Sequence, residues 1–98
     1  MTANGTELAS IQVIVHGSVQ GVFFRDFTCR WAASLGVTGY VQNMPDGVNV
    51  AVHAEGERQK LEELVVQLKQ GPPGAVVKRV DVIWYEYSGD YVRFNVKY

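Results

Sequence analysis

The chain has 98 residues, room for one core of ordinary size but not two, and its 47% hydrophobic and 19% charged residues exclude disorder as the default state. Nine Lys plus Arg against ten Asp plus Glu leave a formal charge of -1, without the basic excess that non-specific binding to nucleic acid or an anionic membrane draws on. One cysteine, Cys29, excludes an intramolecular disulfide and any CxxC motif, and no apolar run approaches the roughly 20 residues that span a bilayer.

Residues 1–7 are polar, carry no signal-peptide pattern and are expected to be a flexible segment; residues 8–98 are expected to form one domain. From Leu8 to His16, Ile11, Val13 and Val15 alternate with Gln12, Ile14 and His16, the two-residue period of a strand. Gly17-Ser18-Val19-Gln20-Gly21 breaks that pattern with two glycines four apart and reads as a tight loop. Phe24, Phe27, Thr28, Trp31, Ala32 and Leu35 then recur every three or four residues, a helical stripe with Gly36 placed to cap its end. Val37 to Asn43 is β-branched and aromatic, Met44-Pro45-Asp46-Gly47 supplies a turn, and alternation resumes at Val48, Val50, Val52 and Ala54, predicting a hairpin. Glu57 to Gln70 puts Leu61, Leu64, Val65 and Leu68 on one helical face and stops at Gly71-Pro72-Pro73-Gly74. Val80, Val82 and Trp84, then Val92, Phe94, Val96 and Tyr98, predict two closing strands around a turn at Ser88-Gly89-Asp90.

The order β-α-β-β-α-β plus a C-terminal strand is that of an α+β, ferredoxin-like split βαβ sandwich, with two helices on one face of an antiparallel sheet. So widely shared a fold names no function, which has to be read from a site.

The junction from His16 to Arg25 holds the most chemistry. A glycine-bearing loop feeding a helix start near Phe23 converges unpaired backbone N–H groups at the positive end of a helix dipole, where a phosphoryl group fits. Arg25 falls in the first helical turn, where a cation is unfavourable unless an anion sits before it, and its planar fork matches two phosphoryl oxygens. On local physics alone the loop could equally be a plain turn followed by a solvated arginine. It matches neither a Walker sequence nor a GxGxxG fingerprint, so nucleotide binding is not indicated.

The run Gly17-Ser18-Val19-Gln20-Gly21-Val22-Phe23-Phe24-Arg25 resembles the GxVQGVxFR signature of the acylphosphatase family, and Gly39-Tyr40-Val41-Gln42-Asn43-Met44-Pro45-Asp46-Gly47 resembles that family's GxVxNxxDG signature. The resemblance extends over roughly residues 9–98. It implies hydrolysis of the carboxyl-phosphate mixed anhydride of acyl phosphates, without metal or cofactor and with no covalent intermediate. Phosphate binding would fall on the backbone of Val19, Gln20, Gly21, Val22, Phe23 and Phe24 and on the guanidinium of Arg25; Asn43 would orient the attacking water. Inorganic phosphate or sulfate should bind in the same place, and no nucleic acid, membrane or cofactor is expected; the chain should be a cytoplasmic monomer. The sequence departs from the family pattern after Asp46-Gly47, where one residue more precedes the next strand and puts its register in question.

Other chemistry-bearing residues have plainer readings. His16 has no evident carboxylate partner, His53 lies in the polar phase of a strand, and neither has metal-ligand spacing. Cys29 has no basic cluster to activate it, and Asp46 suits a turn. Phe24, Phe27, Trp31, Trp84, Phe94 and Tyr98 follow core phases, whereas Phe23 and Tyr40 could border the cleft. Two other classes of function remain open: a non-catalytic anion-binding or regulatory module, which would not require Asn43, and an RNA-binding domain of the same element order, which the charge and the missing basic-aromatic run disfavour. Carbamoyl phosphate is a further candidate substrate beside generic acyl phosphates.

Overall fold

Alternation builds the central strand. In the computed structural model, which describes residues 7–98, β1 runs Leu8–Ser18 and buries Ile11, Val13 and Val15 on one face. β1 pairs antiparallel with β3 (Val50–Glu57) on one side and β4 (Val76–Tyr85) on the other. β2 (Thr38–Asn43) pairs antiparallel with β3, and β5 (Phe94–Val96) lies outside β2, giving the order β4-β1-β3-β2-β5. The first four strands thus form the expected split βαβ arrangement, with β3 inserted between β1 and β2.

The expectation of a wholly antiparallel sheet needs one correction: β5 pairs with β2 in parallel, over Gly39↔Phe94 to Val41↔Val96. Val92 and Tyr98 fall outside the short strand, and Ser88-Gly89-Asp90 is not a hairpin turn but part of a crossing from one sheet edge to the other. A parallel neighbour requires such a crossover. Glu55 pins it: only 1% exposed, its carboxylate accepts the Ser88 hydroxyl at 2.6 Å and the Ser88 and Gly89 amides at 3.1 and 3.0 Å.

The hairpin register is intact despite the extra residue. β3 pairs without slippage from Asn43↔Val50 to Thr38↔Glu55 and from Val15↔Val50 to Leu8↔Glu57. Val48 is left in the loop, exposed, and the strand begins at Val50. Asp46 organises the tip as expected, accepting the Val48 and Asn49 amides on Oδ1 at 2.8 and 2.9 Å.

Helix α1 (Phe24–Leu35) buries Phe24, Thr28 and Ala32 and is closed by Gly36 in the left-handed region, whose amide bonds back to Ala32 and Ala33. Helix α2 (Arg58–Gln70) buries Leu61, Leu64, Val65 and Leu68 as the stripe requires. It starts one residue later than its acidic signal suggests: Glu57 is the extended residue before it, and the Arg58 amide bonds the Glu7 carbonyl at 2.7 Å. These apolar faces join Val41, Val50, Val52 and Ala54 from the sheet in one core; each fully buried aliphatic side chain contributes about 1.5–3 kcal/mol. The segment expected to be flexible, residues 1–7, lies outside the described residues except for Glu7.

Candidate active site

Gly17 belongs to the strand rather than to the loop. The β1–β4 register shifts between His16 and Gly17, and a Cβ on Gly17 would stand 1.9 Å from the Val76 carbonyl oxygen, so this glycine admits a close backbone approach. Gly21 is the loop glycine proper, with φ +77 in open space. Phe23 follows with φ 61 and ψ 27, the one left-handed non-glycine among the described residues, and its side chain is 84% exposed. Such a backbone costs of order 1–3 kcal/mol and persists where the surroundings impose it, often at functional sites.

Phe23 also occupies the helix N-cap, where no side chain caps the amides. The first helical bond runs from the Phe27 amide to the Phe23 carbonyl, 3.0 Å, so the amides before Phe27 have no carbonyl of the helix to bond. An uncapped start preceded by a left-handed turn leaves those donors to an anion.

Val19, Gly21, Phe23, Phe24, Arg25 and Asn43 line one cleft of about 200 Å³. Arg25 reaches it from the first turn of α1, and Asn43 from the last position of β2. Parity explains Asn43: it shares the β2 face of Gly39 and Val41, both buried beneath the helices. Two residues 18 apart in the sequence, counted from 25 and 43, thus meet across the same opening. Among the described residues no carboxylate pairs with Arg25; its guanidinium lies 5.4 Å from the centre of the Tyr98 ring.

The side chains of Gln20 and Val22 are engaged away from the cleft, which leaves the part expected of their backbone amides as it stands. Val22 packs on the core. Gln20 instead donates its side-chain amide to the Met44 carbonyl at 3.0 Å and the Asn49 carbonyl at 2.8 Å, tying the loop to the hairpin that carries Asn43. Asn49 completes the tie: its Oδ1 accepts the Gly17 amide at 3.3 Å while its Nδ2 donates to Asp46 at 2.8 Å. The sequence reading missed both roles. Their signal is a polar residue inside the loop and another beside the hairpin's extra residue, neither of which reveals its partner.

Other expectations are corrected by geometry. Tyr40 lies on the opposite β2 face, stacked on His53 at 5.6 Å, and does not border the cleft. Tyr98 is 94% exposed beside Arg25 rather than packed in the core. His16 has a carboxylate partner after all, Asp81 on β4 at 2.8 Å, which leads the interactions that hold the Asp81 carboxyl below its usual range. His53 sits between Gln12 and Ser10. Burial, aided by nearby Asp26, pushes the Cys29 thiol up, away from a reactive thiolate. Among the described residues no cluster of three His, Cys, Asp or Glu could hold a metal ion, and no helix is long and apolar enough to cross a membrane.

Comparison with known proteins gives the family. The family model described as Acylphosphatase matches residues 11–96. An acylphosphatase of Caldivirga maquilingensis is 48% identical over 88 residues, covering 90% of this chain and 93% of that protein. Two crystal or solved structures are also similar. The acylphosphatase of Bacillus subtilis superposes with a TM-score of 0.88 at 33% identity, covering 92% of this chain and 99% of its own. That of Coxiella burnetii superposes with a TM-score of 0.87 at 38% identity, covering 99% and 100%. Matched over nearly its whole length in sequence and in fold, the chain belongs to the acylphosphatase family.

Proposed function

We propose that the chain hydrolyses small acyl phosphates to a carboxylate and inorganic phosphate, as a cytoplasmic monomer, with the cleft bounded by Arg25 and Asn43 as its active site. The observation that carries this reading is that a guanidinium, an uncapped helix start and a carboxamide face one small opening. In the reading, the loop amides and Arg25 hold the non-bridging phosphoryl oxygens and spread the charge that gathers on them in a loose transition state. Asn43 binds water through its carboxamide and aims it at phosphorus. A bond forms from the water oxygen to phosphorus, and the anhydride P–O bond breaks with its electron pair going to the carboxylate. The water proton passes to a phosphoryl oxygen, the nearest basic atom in a cleft whose lining holds no histidine or carboxyl group.

A carboxylate departs as a stable anion, so no general acid is required. That sets the substrate class: acyl phosphates turn over, whereas alkyl phosphate monoesters, whose leaving oxygen needs a proton, do not. Purified protein should therefore release phosphate from acetyl phosphate, equally well with and without a chelator, and leave an alkyl phosphate intact. Phosphate binding without turnover would instead identify an anion-binding module.

A further inference from the structure

The face of the sheet turned away from the helices is not bare. Register and alternation put Gln12, His53 and Tyr40 side by side across β1, β3 and β2, and the parallel pairing adds Asn95 beside Tyr40, with Lys97 two residues further on. The crossing from β4 to β5 lays Tyr91 against them. Its ring centre stands 6.0 Å from that of Tyr40 and 5.2 Å from that of His53, which is itself held by Gln12 at 3.1 Å and Ser10 at 3.2 Å. A cavity of about 520 Å³ opens against these rings, with Tyr40, Asp90, Tyr91, Arg93, Asn95 and Lys97 in its walls. None of its lining residues lines the phosphoryl cleft.

We infer that this cavity is a second ligand site, for a small aromatic monoanion such as an aryl carboxylate, with its ring on the tyrosines and its anionic group between Arg93 and Lys97. The inference goes beyond the phosphatase reading and does not depend on it. The volume is in the range of small-molecule pockets, and two tyrosine rings offer stacking area that an inorganic anion would not use. Among the described residues no carboxylate pairs with Arg93 or Lys97. Set against Asp90, the two cations leave one net positive charge in the lining, which one negative charge on the ligand matches. The Lys97 ammonium stands 4.7 Å from the centre of the Tyr40 ring, so charge and ring surface share one wall, as a ring-bearing anion requires. The wall is also preformed. The Arg93 carbonyl accepts the Gly39 amide at 3.0 Å, the Lys97 amide donates to the Val41 carbonyl at 2.8 Å, and Glu55 clamps the loop that carries Tyr91. Little ordering is left for a ligand to impose, which favours binding.

Amide spectra of the isotope-labelled full chain, titrated with 2-naphthoate, 2-naphthylmethanol and acetate, test the site. 2-Naphthoate should bind with a Kd at or below about 1 mM and shift the amides of Tyr40, Tyr91, Arg93 and Lys97. The alcohol, which lacks the charge, and acetate, which lacks the ring, should each bind at least about tenfold more weakly. Arg93 and Lys97 are exposed and bond β2 through their main chains, so Arg93→Gln and Lys97→Gln keep those bonds. Each should weaken 2-naphthoate binding about fivefold. Saturating inorganic phosphate, which occupies the other cleft, should leave the titration unchanged. Shifts confined to Gly21, Phe23 and Arg25 and abolished by phosphate would put the probe in the phosphoryl cleft and overturn the inference. So would a Kd above about 1 mM, equal binding of the alcohol, or affinity untouched by both variants.

Discussion

Arg25 and Asn43 are expected to fail in different ways when replaced, because one holds charge and the other aims a neutral molecule. Arg25→Lys keeps a positive charge but loses the planar fork, so phosphate affinity should weaken and kcat/KM should fall by about a hundredfold. Asn43→Ala leaves the phosphoryl contacts in place, so kcat should fall by a similar factor while the inhibition constant of inorganic phosphate changes by less than about threefold. Initial rates with phosphate as competitor separate the two. These residues were legible because each stands in a dense motif. Tyr40 shows the limit: its motif placed it near the site, yet two-residue alternation turns it to the other face of β2 from Asn43, and parity counted from Asn43 would have told them apart. Tyr98 kept the core phase of Phe94 and Val96, but it lies beyond the last paired residue, where phase no longer implies cover.

At the scale of elements, the site is a junction of two segments that the chain brings together only by folding, and Gln20 is the joint. Removing its two hydrogen bonds with Gln20→Ala loosens the hairpin from the loop, leaving only the Gly17–Asn49 contact of the tie, without touching a residue of the cleft lining. Misplacing the water by even a fraction of an ångström costs rate more than affinity, so kcat should drop about tenfold with little change in phosphate inhibition. Equal loss of turnover and phosphate affinity would mean that Gln20 shapes the loop rather than the junction. Period and turn chemistry predicted most element positions, since those signals are local. Partners were another matter. His16 and Asp81 are 65 residues apart and meet only through the β1–β4 register. β5 is three residues long, and its alternation says that it is a strand but not that its neighbour is β2, still less that the pairing is parallel.

For the whole molecule, the crossing from β4 to β5 makes one buried carboxylate responsible for closing the far sheet edge. Burial pushes the Glu55 carboxyl up, but the Ser88 hydroxyl and the Ser88 and Gly89 amides outweigh it and hold the group below its ordinary value of 4.5. A depressed carboxyl contributes stability that is fully present above the unfolded value and is lost as pH falls through the lower folded one. Thermal unfolding should therefore be flat near neutrality and decline below about pH 4.5, with Asp46 and Asp81, both also depressed, adding to the decline. Glu55→Gln should lower stability at pH 7 by about 2 kcal/mol and weaken the acid dependence. In the core, Leu64→Ala should cost about 3 kcal/mol at every pH, because it removes packing and no charge. Melting curves of the three proteins across pH 3 to 7 separate these effects. The Glu55 clamp escaped sequence reading because a lone glutamate inside a strand carries no mark of the loop that will cover it.

The account stands on water attacking phosphorus in the cleft shared by Arg25 and Asn43. Hydrolysis of acetyl phosphate by the protein in water enriched in oxygen-18, with the products resolved by mass spectrometry, tests that directly. The label should appear once in the inorganic phosphate and not in the acetate. Label in the acetate would mean attack at the acyl carbon, and would contradict the placement of both residues' roles.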